Sequence, residues 1–92
     1  MPYQGDTIRI VNTVTDYNGQ PLQPDSHTIQ IYDSNGQLKT TITNPTEETL
    51  GTYYVDYTIP NDASVGLWRV VWKIVKGGKP NVEVLLFQVF KV

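Results

Sequence analysis

The strongest alternation of apolar and polar positions lies between Gly51 and Lys73. Tyr53, Val55, Tyr57 and Ile59 alternate with Tyr54, Asp56 and Thr58. After the loop from Pro60 to Gly66, Trp68, Val70, Trp72 and Ile74 alternate with Arg69, Val71 and Lys73. A period of two puts each set on one face of a pleated strand. The pattern predicts two strands joined by a loop, with both aromatic sets turned inward. Burying one aromatic ring removes ~150–250 Å² from water, about 4–6 kcal/mol gross at ~25 cal/mol per Å². No other stretch offers as much, so the core is expected to form around this one.

Weaker alternations flank it. Ile8, Ile10 and Val14 share one phase of a strand over residues 6–16, and Asn12 interrupts that phase, which predicts a bulge or a change of sheet there. Residues 26–33 read as a strand with Ile29 and Ile31 inward and Gln30 and Tyr32 outward. Residues 37–43 place Leu38, Thr40 and Ile42 in phase, and their threonine content marks an edge. Residues 44–50 form a polar connection with room for a short edge strand. Gly77-Gly78 closes a hairpin onto a last strand over residues 81–92. Asp16-Tyr17-Asn18-Gly19 and Asp33-Ser34-Asn35-Gly36 are turns of one composition, and Gly36 is expected at positive φ. Pro21 and Pro24 make residues 20–25 a surface crossing. Residues 1–5 read as a loose arm.

No segment keeps a helical period for three turns. Short strands at about ten-residue spacing, with turn signals between, predict an all-β fold: an antiparallel sandwich of six to seven strands with Greek-key connections. A closed barrel is the competing architecture. The chain of 92 residues is expected to form a single domain, 1–92.

Composition narrows the function classes. A net charge of −2, with scattered Lys and Arg, argues against nucleic acid as partner. No apolar run approaches the ~18 residues of a membrane span, so no membrane insertion is expected. The absence of cysteine excludes disulfides and thiolate metal sites. Residues 1–15 lack a basic stretch followed by an apolar core, so no signal peptide is read there.

Several motifs together carry a resemblance. Gly51-x-Tyr53, Ile59-Pro60-x-Asp62-Ala63-x-x-Gly66-x-Trp68-x-Val70-x-Trp72 and Phe87-x-Val89 resemble bacterial immunoglobulin-like modules, including the macroglobulin-like group. Gly5-Asp6-Thr7, Asp16-x-Asn18-Gly19 and Ile31-Tyr32-Asp33-x-x-Gly36 are similar to the first half of the same pattern. The resemblance implies an immunoglobulin-like β-sandwich serving as spacer, adhesion or assembly unit, without catalysis. Free-standing examples resemble small structural proteins of phage particles. The expected location is therefore a virion or a cell surface.

Candidate chemistry is sparse. The two Asp-x-Asn-Gly turns are similar to the start of a calcium loop, but each lacks the remaining oxygen ligands, so no metal is expected. His27 is the single histidine, and no Gly-x-Ser-x-Gly elbow marks Ser26, Ser34 or Ser64. Glu47 and Glu48 are adjacent and point apart when extended, so they make no acid–base pair. No enzyme and no cofactor are expected. Tyr32 and Tyr54 lie out of core phase, and sugar stacking on them is the alternative function.

The last strand is apolar in both phases. The resemblance turns Phe87 and Val89 inward, which leaves Leu86 and Phe90 outside. With Val71 and Val75 of the preceding strand they are expected to form an apolar outer patch, meeting another copy or a neighbouring domain.

Overall fold

The computed structural model describes residues 2–92, and within them the chain is all β. Its strands are β1 (Thr7–Thr13), β2 (Ser26–Tyr32), β3 (Leu38–Ile42), β4 (Thr46–Thr49), β5 (Thr52–Thr58), β6 (Gly66–Lys76) and β7 (Lys79–Val89). They form two antiparallel sheets, ordered β1-β5-β4 and β3-β2-β6-β7. The chain changes sheet after β1, β3 and β5, and β6 returns beside β2, as a Greek key requires. The crossing at residues 20–25 is the first of these changes. The sheets stay open, each with two free edges.

The inner faces meet in one core. Ile10, Tyr53 and Val55 come from the first sheet, Val14 from just past the end of β1, and Ile29, Ile31, Trp68, Val70, Trp72, Ile74 and Val89 from the second. Trp68 and Trp72 are fully buried, and Tyr53, Tyr57 and Ile59 pack in the same core. The Trp68 indole N–H donates to the Ser64 carbonyl at 2.8 Å, and that of Trp72 to His27 Nδ1 at 3.1 Å. Both polar tips thus keep a partner in the dry interior, where an unpaired donor would cost ~1–3 kcal/mol.

Three expectations need correction. Asn12 marks neither a bulge nor a change of sheet: β1 pairs with β5 without a shift from Thr7↔Thr58 to Thr13↔Thr52. Asn12 stays inward and buried, at the wall of an open groove. The bulge lies instead between β2 and β3, where Ile31↔Thr40 is followed by Tyr32↔Leu38 and Lys39 is skipped. One extra residue reverses a strand's phase, so Leu38 turns outward beside Tyr32 and is 49% exposed. The loose arm is docked as far as it is described. Gln4 N donates to Phe90 O at 3.1 Å, Phe90 N to Pro2 O at 3.0 Å, and Gly5 N to Ile59 O at 3.0 Å. Met1 lies outside the described residues.

Candidate functional site

The two Asp-x-Asn-Gly turns are built alike. Asp16 Oδ1 accepts from Asn18 N at 2.8 Å and Gln20 N at 3.0 Å. Asp33 Oδ1 accepts from Asn35 N and Gln37 N, both at 2.9 Å. Each carboxylate is committed to its own loop's backbone. Asp33 ends β2 beside the start of β6, whereas the Asp16 turn lies by the end of β6 and the start of β7. The turns therefore sit at opposite ends of the sandwich and cannot share an ion. Among the described residues no His, Asp and Glu side chains gather in a group of three.

His27 follows the inward phase of Ile29 and Ile31. Its ring lies 4.6 Å from that of Tyr53 and 6.1 Å from that of Trp72. The Tyr53 hydroxyl reaches Glu47 Oε1 at 3.1 Å, and burial followed by this carboxylate pushes the phenol pKa up. Two hydrogen bonds, Trp72 to His27 and Tyr53 to Glu47, and the ring contact between His27 and Tyr53 thus link β6, β2, β5 and β4 across the two sheets. Ser34 and Ser64 bond each other at 2.7 Å at the far end and are not brought to His27.

Burial lowers the His27 pKa from its ordinary value. The unfolded chain titrates near ~6.5, so below that pH it binds a proton the folded chain resists. Stability should therefore be full above pH ~6.5 and fall as pH drops toward the lower folded value. The Tm loss between about pH 8 and about pH 5.5 should be smaller in His27→Gln, whose amide oxygen still accepts from Trp72 but does not titrate. Equal losses in both proteins would show that His27 is not the group titrating.

An open groove of ≈ 610 Å³ lies over Trp72, walled by Asn12, Val14, Leu22, Ile74, Asn81 and Glu83. The sequence reading missed it. The available signal was polar residues in inward phases: Asn12 on β1, and Asn81 and Glu83 on β7.

Tyr32 and Tyr54 are not brought together. Tyr32 stands on the outer face of the four-stranded sheet and Tyr54 on that of the three-stranded sheet. One face of each ring is under a guanidinium, Arg69 over Tyr32 at 4.5 Å and Arg9 over Tyr54 at 3.9 Å. Arg9 also grips Asp56 through two hydrogen bonds of 2.9 and 3.1 Å and holds that carboxyl below its ordinary range.

On the outer face of β6 and β7, Val71 pairs with Val84, Arg69 with Leu86, Lys73 with Val82 and Val75 with Pro80. Val71 and Val75 are half-buried, while Val82, Val84 and Leu86 are 59%, 53% and 60% exposed. Phe90 keeps the outward phase but stands apart. Gln88 separates it from Leu86, and its half-buried ring lies 5.9 Å from that of Tyr3. Val82 and Val84 take its place in the apolar stripe. Their phase was readable in the sequence, but not their nearness to Val71, which pairing decides.

No family model matches this chain, and no curated protein matches it. Among solved structures, Escherichia coli alpha-2-macroglobulin activated by porcine elastase is similar, with a TM-score of 0.76 over 95% of this chain at 18% identity. The matched region is 7% of that protein, so this chain spans a small part of its length. At this identity the likeness carries the fold alone, an antiparallel immunoglobulin-like β-sandwich similar to one small part of that protein.

Proposed function

We propose that the chain is a non-catalytic structural and interaction module, part of a surface protein or a phage particle. Its contact surface is the outer face of β6 and β7, where it meets another copy or a neighbouring domain. The observation that carries this reading is the apolar stripe of Val82, Val84 and Leu86 in solvent, continued by the half-buried Val71, on a small domain. Contiguous exposed apolar patches are often functional. The similar fold occupying one small part of a long macroglobulin chain supports a modular role.

The test is photo-crosslinking from position 71, in purified protein and in the source cells. A discrete adduct, to a second copy or one defined polypeptide, is expected from 71. None is expected from position 11, on the outer face of the other sheet. No adduct from 71 in either setting would sink the proposal. A glycan array covers the alternative: saturable binding abolished by Tyr32→Ala or Tyr54→Ala would replace this reading with a carbohydrate-binding module.

A further inference from the structure

The free edge of β7 is the longest and most regular unpaired strand edge of the sandwich. β4 has four residues and a register shift, and β3 has five and the bulge at Lys39. β1 has seven, with Arg9 among its outward side chains. β7 runs eleven residues against β6 without a shift. Natural edges are usually blunted by shortness, bulges, charge or proline, because an open edge is a template for another strand. On β7 Lys79, Pro80 and the inward Glu83 serve that purpose, and all three lie in its first half.

Phe90 shows which groups are free. Its N–H and C=O bond Pro2 O and Gln4 N, on the side away from β6. Backbone groups alternate in direction along a strand. Gln88, Leu86, Val84 and Val82 therefore also aim their N–H and C=O at the open side. Pro80 falls in this same set, so its missing N–H costs no bond to β6. The docked arm shows the backbone in line with this edge taking an added segment: residues 2–4 bond Phe90, one residue past β7, through a single parallel bridge.

We propose that the β7 edge pairs antiparallel with the β7 edge of a second copy, joining two four-stranded sheets into one. The register follows from the side chains. A two-fold axis at Val84 sets Val84 against its counterpart and Val82 against Leu86, continuing the apolar stripe across both copies. The partner strand then ends with its Lys79 opposite Val89, where the arm takes over. An axis one residue earlier would face Glu83 against Glu83, a like-charge pair that opposes pairing. This surface is distinct from the outer face of the proposed function, and the two fail separately.

The experiment is sedimentation equilibrium of the whole chain from low to high micromolar concentration, with Val84→Pro and Val71→Glu beside the wild type. Proline at 84 removes an outward N–H and no bond to β6, and it leaves the outer face apolar. Wild type should dimerise, and Val84→Pro, checked for folding by circular dichroism, should raise the dimer Kd at least ~10-fold, about 1.4 kcal/mol. Val71→Glu should shift it less. Hydrogen exchange of the wild type is a second readout that needs no variant. The amides of Val82, Val84, Leu86 and Gln88 should gain protection with concentration. A wild-type monomer at high micromolar concentration, a dimer leaving those amides unprotected, or a folded Val84→Pro with unchanged Kd would each overturn the proposal. Loss of the dimer in Val71→Glu alone would move the contact to the outer face.

Discussion

Trp72→Ala should leave the domain largely unfolded at room temperature, or lower its Tm by tens of degrees. Trp72 is fully buried on β6, paired to Ile29 of β2 and Glu83 of β7. Truncating a buried tryptophan costs ~3–5 kcal/mol through lost transfer energy and the cavity left behind. Domains of this size have about 5–15 kcal/mol in all, and a sandwich without disulfides belongs at the low end. The change also strips His27 Nδ1 of its donor inside the same cluster. Trp72→Phe, which keeps an aromatic filler but loses the N–H, should fall between wild type and alanine. Denaturant unfolding followed by Trp68 fluorescence measures all three. A Trp72→Ala protein within ~1 kcal/mol of wild type would show that this side chain is not central to the core.

Gly51→Val should cost ~2–5 kcal/mol, the sum of two terms. The first is backbone strain, because Gly51 has φ +87, where a β-branched side chain is disfavoured by ~1–2 kcal/mol. The second is collision. A Cβ here would fall 2.9 Å from the Val14 carbonyl oxygen and 2.9 Å from Pro21 Cβ. Val14 is itself tied down, donating to Gly51 O at 2.7 Å and accepting from Leu22 N at 3.0 Å. Relief by local shift would therefore loosen the crossing between the sheets. Gly36→Val is the matched control, since Gly36 has φ +82 but its added Cβ meets nothing within 4 Å. It should show the strain term alone. Equal losses at both sites, from chemical denaturation, would mean that the packing at Gly51 yields without cost.

Much of the frame was legible because it rests on local signals. The alternation in β5 and β6 names the inner faces correctly, since only one phase of each strand holds enough apolar volume to fill a core. The Asp-x-Asn-Gly turns read correctly because an Asp side chain bonds the backbone two residues on, whatever surrounds it. Polar residues 44–50 give an edge strand for the same kind of reason: β4 buries nothing. His27 was less well read. Its phase with Ile29 and Ile31 was visible, but its partners Trp72 and Tyr53 come from other strands.

By itself, then, the sequence determined the sandwich class, the inward phases of β2, β5 and β6, the positive φ of Gly36 and the β6–β7 hairpin. Each follows from residues within a few positions of one another, through strand pleat, turn hydrogen bonds or glycine's freedom. Only the tertiary structure decided that Lys39 bulges and turns Leu38 out, that Asn12 stays inward beside a groove, and that the arm bonds Phe90, one residue past β7. It alone put Tyr32 and Tyr54 on opposite faces and set Val82 and Val84, rather than Phe90, with Val71. These depend on strand partners far apart in the chain. A sheet's register is settled by the summed packing and backbone pairing of two distant segments, which neither segment encodes alone.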